Sequence, residues 1–152
     1  MSDAFERTDI VIPVFAGEAA VRRCLESVLA SAAASVADIV VIDDASPEPA
    51  IAGYLQTLAT ANKVTLLRHE HNKGFVESVN EAAELHPHRD FVILNADTEV
   101  AGDWLQRLQH HAARNDAVAT VTPFSNNATI ASFPKLVESN ALPQGETTAS
   151  LH

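Results

Sequence analysis

A chain of 152 residues carries one domain's worth of sequence, long enough to bury a core without covalent staples. With 47% hydrophobic and 20% charged residues it has an ordinary globular composition, and its single cysteine, Cys24, excludes an internal disulfide and a cysteine-rich zinc site. A formal charge of -10 argues against nucleic acid, whose binding draws on clustered Lys and Arg, and no apolar run reaches membrane-spanning length.

The lone cysteine fits a reducing compartment, and Met1 to Arg7 contain no apolar signal region, so the expected location is cytoplasmic. Asp9-Ile10-Val11-Ile12-Pro13-Val14-Phe15 predicts a buried strand ending near Pro13. Val21, Leu25, Val28, Leu29 and Ala32 recur at helical spacing over residues 18–34. Cys24 lies on the same flank as a small core residue, with nothing nearby in sequence to make it a nucleophile. A second strand, Asp38 to Ile42, ends in Asp43-Asp44. Ser46 followed by Pro47 then has the pattern of a helix N-cap and first helical position, with Ile51, Leu55 and Leu58 as the buried stripe.

The third strand, Val64 to Leu67, runs into Arg68-His69-Glu70-His71-Asn72-Lys73-Gly74. His69 and His71 share a face as metal ligands or, on the plainer view, end a strand in solvent. Gly74 permits a tight turn, after which Phe75, Val79, Ala82 and Ala83 form a helical stripe. Phe91-Val92-Ile93-Leu94 predicts a fourth, buried strand that stops abruptly at Asn95-Ala96-Asp97. Alternation along an extended backbone sends Asn95 and Asp97 to one side, an amide oxygen and a carboxylate suited to Mg²⁺ or Mn²⁺. A helix from Gly102 or Asp103 follows, with Trp104 as core anchor beside Leu105, Leu108 and Ala112. A fifth strand is expected over Ala117 to Val121, and beyond Pro134 the chain is polar and unpatterned.

Alternating strands and helices predict a mainly parallel sheet whose ligand lies beyond the carboxyl ends of the strands, where strand order reverses. That edge gathers Pro13 to Phe15, Asp43, Asp44, Lys73, Gly74, Asn95 and Asp97. A carboxylate about 4 Å from a phosphate, at an effective dielectric of about 20, is repelled by about 4 kcal/mol. Asp97 beside a diphosphate therefore requires a cation between them.

The ordered set Asp9 to Phe15, Ile42-Asp43-Asp44-Ala45-Ser46, Asn72-Lys73-Gly74-Phe75, Leu94 to Val100, Trp104-Leu105 and Pro123 to Asn127 resembles family 2 glycosyltransferases over residues 9 to about 134. It is most similar to bacterial enzymes of surface and cell-wall glycan synthesis, rhamnosyltransferase-like members included. The resemblance implies a GT-A fold, Rossmann-like, and inverting transfer from a nucleotide-diphospho-sugar, a UDP- or dTDP-sugar, to a glycan or lipid-linked acceptor. It implies that Pro13, Val14 and Phe15 lie along base and ribose, and that Asp44, or Asp43 if the turn is offset, accepts the imide N–H of uracil or thymine. Lys73 and Gly74 belong to the same nucleotide-sugar site, Asn95 faces the ribose or a metal-bound water, and Asp97 holds the metal on the diphosphate. Three departures stand out: Asn95 replaces an acid, Phe15-Ala16 replaces a Tyr-Asn pair, and no general base is identifiable.

The domain organisation expected on this basis is a tail over residues 1–8, the nucleotide-sugar-binding domain over 9–134, and a polar tail over 135–152 that begins a missing acceptor-side half. A peripheral place at the inner membrane face is the alternative to a free cytoplasmic one. Two other function classes compete: a phosphoacceptor receiver domain of the signalling type, which also clusters aspartates, and a catalytically inactive nucleotide-binding module. The receiver is disfavoured because the first strand ends in Pro13-Val14-Phe15 and the fifth in Thr122-Pro123, without lysine.

Overall fold

The computed structural model describes residues 7–128, 130–148 and 150. Residues 1–6 of the expected N-terminal tail lie outside them, and Thr8 already belongs to the first strand. The chain divides into two units, one running through Glu99 and one from Val100.

The first unit holds β1 (Thr8–Val14), α1 (Glu18–Ala30), a 3₁₀ turn (Ala32–Ser35), β2 (Ala37–Asp43), α2 (Pro49–Thr60), β3 (Thr65–Arg68), α3 (Phe75–Ala83) and β4 (Phe91–Ile93). The strands form one parallel sheet in the order β3-β2-β1-β4. Both faces of its centre are buried, which is why β1 and β2 read as near-continuous apolar runs rather than alternating ones. Val11, Val40 and Ile42 pack with Val79 and Ala82 of α3, with Leu67 against them. By strand alternation Ile10, Ile12, Ile39 and Val41 point to the opposite face and are equally enclosed. Each such aliphatic side chain stabilises the fold by about 1.5–3 kcal/mol.

Pro13 sits inside β1 without costing a ladder bond. Leu94 N–H donates to the Val11 carbonyl at 2.9 Å, so the polar groups of Val11 and, two residues on, of Pro13 face β4. β4 pairs with β1 only at Asp9, Ile10 and Val11, so the ladder has ended before Pro13 would need a donor. The two strands part there, and the gap becomes the groove described below.

Several sequence expectations need correction. β4 is an edge strand: Phe91 and Ile93 are 44% and 45% exposed, and only Leu94, just after it, is buried. No strand forms over residues 117–121, of which 117–120 are exposed and Val121 half-buried, because Ala-Val-Ala-Thr-Val offers two valines and no paired edge to hold them. α2 begins at Pro49, with Glu48 as N-cap, rather than at Pro47. Ser46 is diverted: its N–H donates to Asp43 Oδ1 at 2.8 Å, and its hydroxyl accepts from Glu48 N–H at 3.3 Å. α1 ends at Ala30, where Ser31 adopts an extended conformation and its hydroxyl donates to the Val28 carbonyl at 2.7 Å.

The second unit contains α4 (Trp104–Ala112), whose one fully enclosed residue is Leu105; Trp104, expected as the core anchor, is half-buried. The segment after it is irregular, with isolated bridges joining Ser125 to Ser132 and Asn127 to Ser139. Asn140 gathers that loop, its Nδ2 donating to Ser132 Oγ at 3.0 Å and to the Lys135 carbonyl at 2.9 Å.

Candidate functional site

Strand order reverses between β1 and β4, and a groove of about 390 Å³ opens at their carboxyl ends. Pro13, Phe15, Ala16, Ala20, Phe75, Asn95, Ala96 and Asp97 line it. A depression of similar size on α2, at Gln56, Thr57, Thr60 and Ala61, has neither charge nor aromatic ring and sits on no strand end. The groove thus brings together Pro13 and Phe15 with Asn95 and Asp97, as expected. Val14 is turned into the core at 1% exposure and offers a ligand no side chain.

Asn95 and Asp97 meet through a turn, not through strand alternation: Thr98 N–H donates to the Asn95 carbonyl at 3.0 Å, beyond the end of β4. Both side chains are exposed and neither makes a hydrogen bond or ion pair among the described residues. The field here is negative. The buried thiol of Cys24 donates to the Asn95 carbonyl at 3.5 Å, and its pKa is pushed up to about 12. Burial is the main cause; a backbone hydrogen bond from Thr98 opposes it, and the charges of Asp97 and Glu99 add to it. An exposed carboxylate beside an amide oxygen fits a hard divalent cation as part of its shell. No cluster of three or more His, Cys, Asp or Glu among the described residues could enclose one alone. A cation there would take its remaining ligands from water or from a bound anion.

Asp43, Asp44, Lys73 and Gly74 lie at the same edge of the sheet but form a separate, internally bonded group. Asp43 and Asp44 are 2% and 4% exposed. Asp43 accepts from Ser46 N–H through Oδ1 and from Arg68 Nε–H through Oδ2, at 2.8 and 3.0 Å. Asp44 Oδ1 faces His69 Nδ1 at 2.7 Å and accepts from Lys73 N–H at 2.8 Å, while Oδ2 accepts from Gly74 N–H at 2.8 Å. Burial alone would raise the Asp44 pKa, but these bonds outweigh it and hold the carboxyl below its ordinary value. Lys73 Nζ is 2.7 Å from Glu81 Oε2. A buried, fully bonded aspartate pair is also unsuited to accept a phosphoryl group, which removes the basis for a receiver domain.

The turn depends on Gly74, whose φ of 86° and ψ of 166° lie in a region that other residues scarcely adopt. Ala45, with φ 55°, carries similar strain beside Asp44.

Sequence reasoning missed Glu48, Glu81 and the true setting of His69. His69 does not end a strand in solvent; it is 6% exposed and bridges Asp44 to Glu81, with Nε2 at 3.0 Å from Glu81 Oε2. Phe75, read as part of a core stripe, is 52% exposed and lines the groove instead. The only available signal was position: Phe75 directly follows the glycine that starts α3.

A family model described as Glycosyl transferase family 2 matches residues 9–147. Among curated proteins no sequence matches the chain. Among solved structures it is similar to the mannosyltransferase PcManGT from Pyrobaculum calidifontis in complex with GDP-Man and Mn²⁺, at 20% identity and TM-score 0.61, over 72% of this chain and 33% of that one. GalNAc-T7 with UDP, GalNAc and Mn²⁺ is similar at 22% identity and TM-score 0.63, over 75% of this chain and 22% of that one. TarS 1-349 from S. aureus in complex with UDP-GlcNAc is similar at 18% identity and TM-score 0.56, over 70% of this chain and 31% of that one. The chain therefore spans a third or less of these relatives' length. At such identities the likeness establishes the fold: a parallel sheet flanked by helices in the GT-A manner.

Proposed function

This chain belongs to glycosyl transferase family 2, and we propose that residues 9–134 bind the nucleotide-diphospho-sugar donor of an inverting glycosyltransferase. The observation that carries this is the pair Asn95 and Asp97, exposed, their side chains without a hydrogen bond or ion pair among the described residues, and lining the same groove as Pro13 and Phe15 at the switch point of the sheet. The similar enzymes solved with Mn²⁺ and with UDP, GDP-Man or UDP-GlcNAc support it. Asp97, with Asn95, would hold Mg²⁺ or Mn²⁺ at the donor diphosphate, and such a cation would screen the phosphates and stabilise the departing nucleotide diphosphate. Phe15 and Phe75 give the groove apolar walls on which a base or sugar ring can pack.

The donor is a UDP- or dTDP-sugar and the group transferred a hexosyl or rhamnosyl unit, passed to a glycan or lipid-linked acceptor of surface or cell-wall polysaccharide. The location that goes with this reading is the cytoplasm or the inner membrane face; among the described residues no helix is long and apolar enough to cross a membrane, and Cys24 is buried. No described residue is assigned as the general base.

Pyrimidine selectivity rests on Asp44, or on Asp43. Asp43 accepts two hydrogen bonds and Asp44 three, of the roughly four a carboxylate can take, so a base N–H would use a remaining lone pair. The gain is then a net hydrogen bond of about 1 kcal/mol, less than tenfold in affinity. Calorimetric titration with UDP, dTDP, CDP and GDP, each with and without Mn²⁺, tests this. UDP and dTDP should bind a few times more tightly than CDP, and all should need the metal. Tighter binding of GDP than of every pyrimidine nucleotide would contradict it.

A further inference from the structure

His69 has no part in the chemistry above, yet its ring is the tie between two elements of the nucleotide-binding edge. Directly after β3, its backbone N–H donates to the Asp43 carbonyl at 2.9 Å. Its ring then spans Asp44 Oδ1, 2.7 Å from Nδ1, and Glu81 Oε2 on α3, 3.0 Å from Nε2. An ionised carboxylate has only lone pairs to offer. Both carboxyls are held in that form independently of which ring nitrogen carries a proton: Asp44, against the pull of burial, by the backbone N–H groups of Lys73 and Gly74, Glu81 chiefly by the Lys73 ammonium. A ring nitrogen facing an ionised carboxylate has to be the donor, so a ring between two of them carries both protons.

The charges agree with this geometry. Asp44 and Glu81 bring two negative charges and Lys73 one positive, so the second ring proton leaves the group neutral. The neighbouring charges do not disturb that balance. Asp43 is paired with Arg68, and Glu77 acts on the exposed end of Lys73.

We infer that His69 is a positioning residue, an imidazolium that ties Asp44 to α3 and so fixes the wall of the groove. Asp44 in turn holds the N–H groups of Lys73 and Gly74, from which α3 starts with Phe75 in the groove. A neutral ring can donate to one carboxylate only and turns a lone pair on the other. The consequence for a ligand rests on the proposed nucleotide site; the consequence for the protein does not.

Nitrogen NMR of the full chain labelled at histidine decides the protonation. At pH 7.5 His69 should show two protonated ring nitrogens, and in Glu81→Ala, which leaves Nε2 without a carboxylate, it should revert to a neutral ring. Amide exchange reads the positioning. In His69→Phe the Lys73 and Gly74 amides should lose protection at least about tenfold while Val11 and Val40 in the sheet keep theirs, and UDP binding with Mn²⁺ should weaken about tenfold. A neutral His69 ring in the parent chain, or unchanged Lys73 and Gly74 exchange in His69→Phe, would overturn the inference. If the parent chain bound no UDP, the proposed function would fall while the ring nitrogens and the exchange still decided this point.

Discussion

Glu48 caps a helix to which it does not belong: its carboxylate accepts the Gly17 N–H at 2.6 Å and the Glu18 N–H at 3.2 Å, at the start of α1. In a doubly wound sheet the helix after the first strand is the usual seat for a phosphate, because its free N–H groups and dipole attract anions. Here a carboxylate from the loop before α2 fills that seat. Gly17 itself has φ 89° and supplies no side-chain cap, so the cap comes from 31 residues away. The diphosphate proposed for the groove would therefore need a cation for its countercharge, which agrees with Asp97 nearby making no ion pair among the described residues. Glu48→Ala should lower stability by about 1 kcal/mol, within the range found for lost N-caps, as read by urea unfolding. Glu48→Gln, which keeps one acceptor, should cost less.

Asp44 contributes a pH-dependent share of the stability. Its folded pKa is depressed, because hydrogen bonds from His69, Lys73 and Gly74 overcome the opposing effect of burial. The contribution is fully present above the unfolded carboxyl's value of about 3.9 and is lost as pH falls through the lower folded value. Asp44→Asn should cost about 3 kcal/mol at pH 7, since it leaves the histidine without its charged partner in the interior. Urea unfolding from pH 7 to pH 3 should show the gap between parent and variant closing as the acid limit is approached.

Gly74→Ala separates backbone strain from crowding. A Cβ at this position would meet nothing within 4 Å, so any loss comes from the φ of 86°. The expected cost is about 1–3 kcal/mol by urea unfolding. UDP affinity should fall as well, since the strained turn places Phe75.

Cys24 should be inert while the chain is folded. With its pKa pushed up to about 12, chiefly by burial, it carries almost no thiolate at pH 8. Alkylation by iodoacetamide at that pH should be slower by about a thousandfold than in urea, where the thiol regains a pKa of about 8.5.

Much of the first unit was legible in the sequence because its periods are strong. Apart from the half-buried Pro13, Ile10 to Val14 and Ile39 to Ile42 are buried on both faces, so an apolar run bounded by polar residues locates each strand within a residue or two. The groove's Pro13, Phe15, Asn95 and Asp97 followed from strand ends alone. What stayed hidden depended on contacts across long stretches of chain. The choice between Pro47 and Pro49 as helix start is settled by Glu48 reaching Gly17, and His69 is enclosed because Asp44 and Glu81 converge on it from 25 and 12 residues away. The run from Ala117 to Val121 shows the opposite error. Its composition suits a strand, but a strand exists only where an edge accepts it.

The most direct test is the cation dependence of UDP binding in the parent chain and in Asp97→Ala, measured by calorimetry in Mn²⁺ and in excess EDTA. An unscreened carboxylate about 4 Å from a phosphate costs about 4 kcal/mol, so the parent chain should lose nearly all measurable affinity in EDTA. Asp97→Ala should bind weakly and equally in both conditions, since it removes the metal's ligand and the repulsion together. Equal affinity of the parent chain with and without Mn²⁺ would contradict the assignment of Asn95 and Asp97 as the metal and diphosphate site.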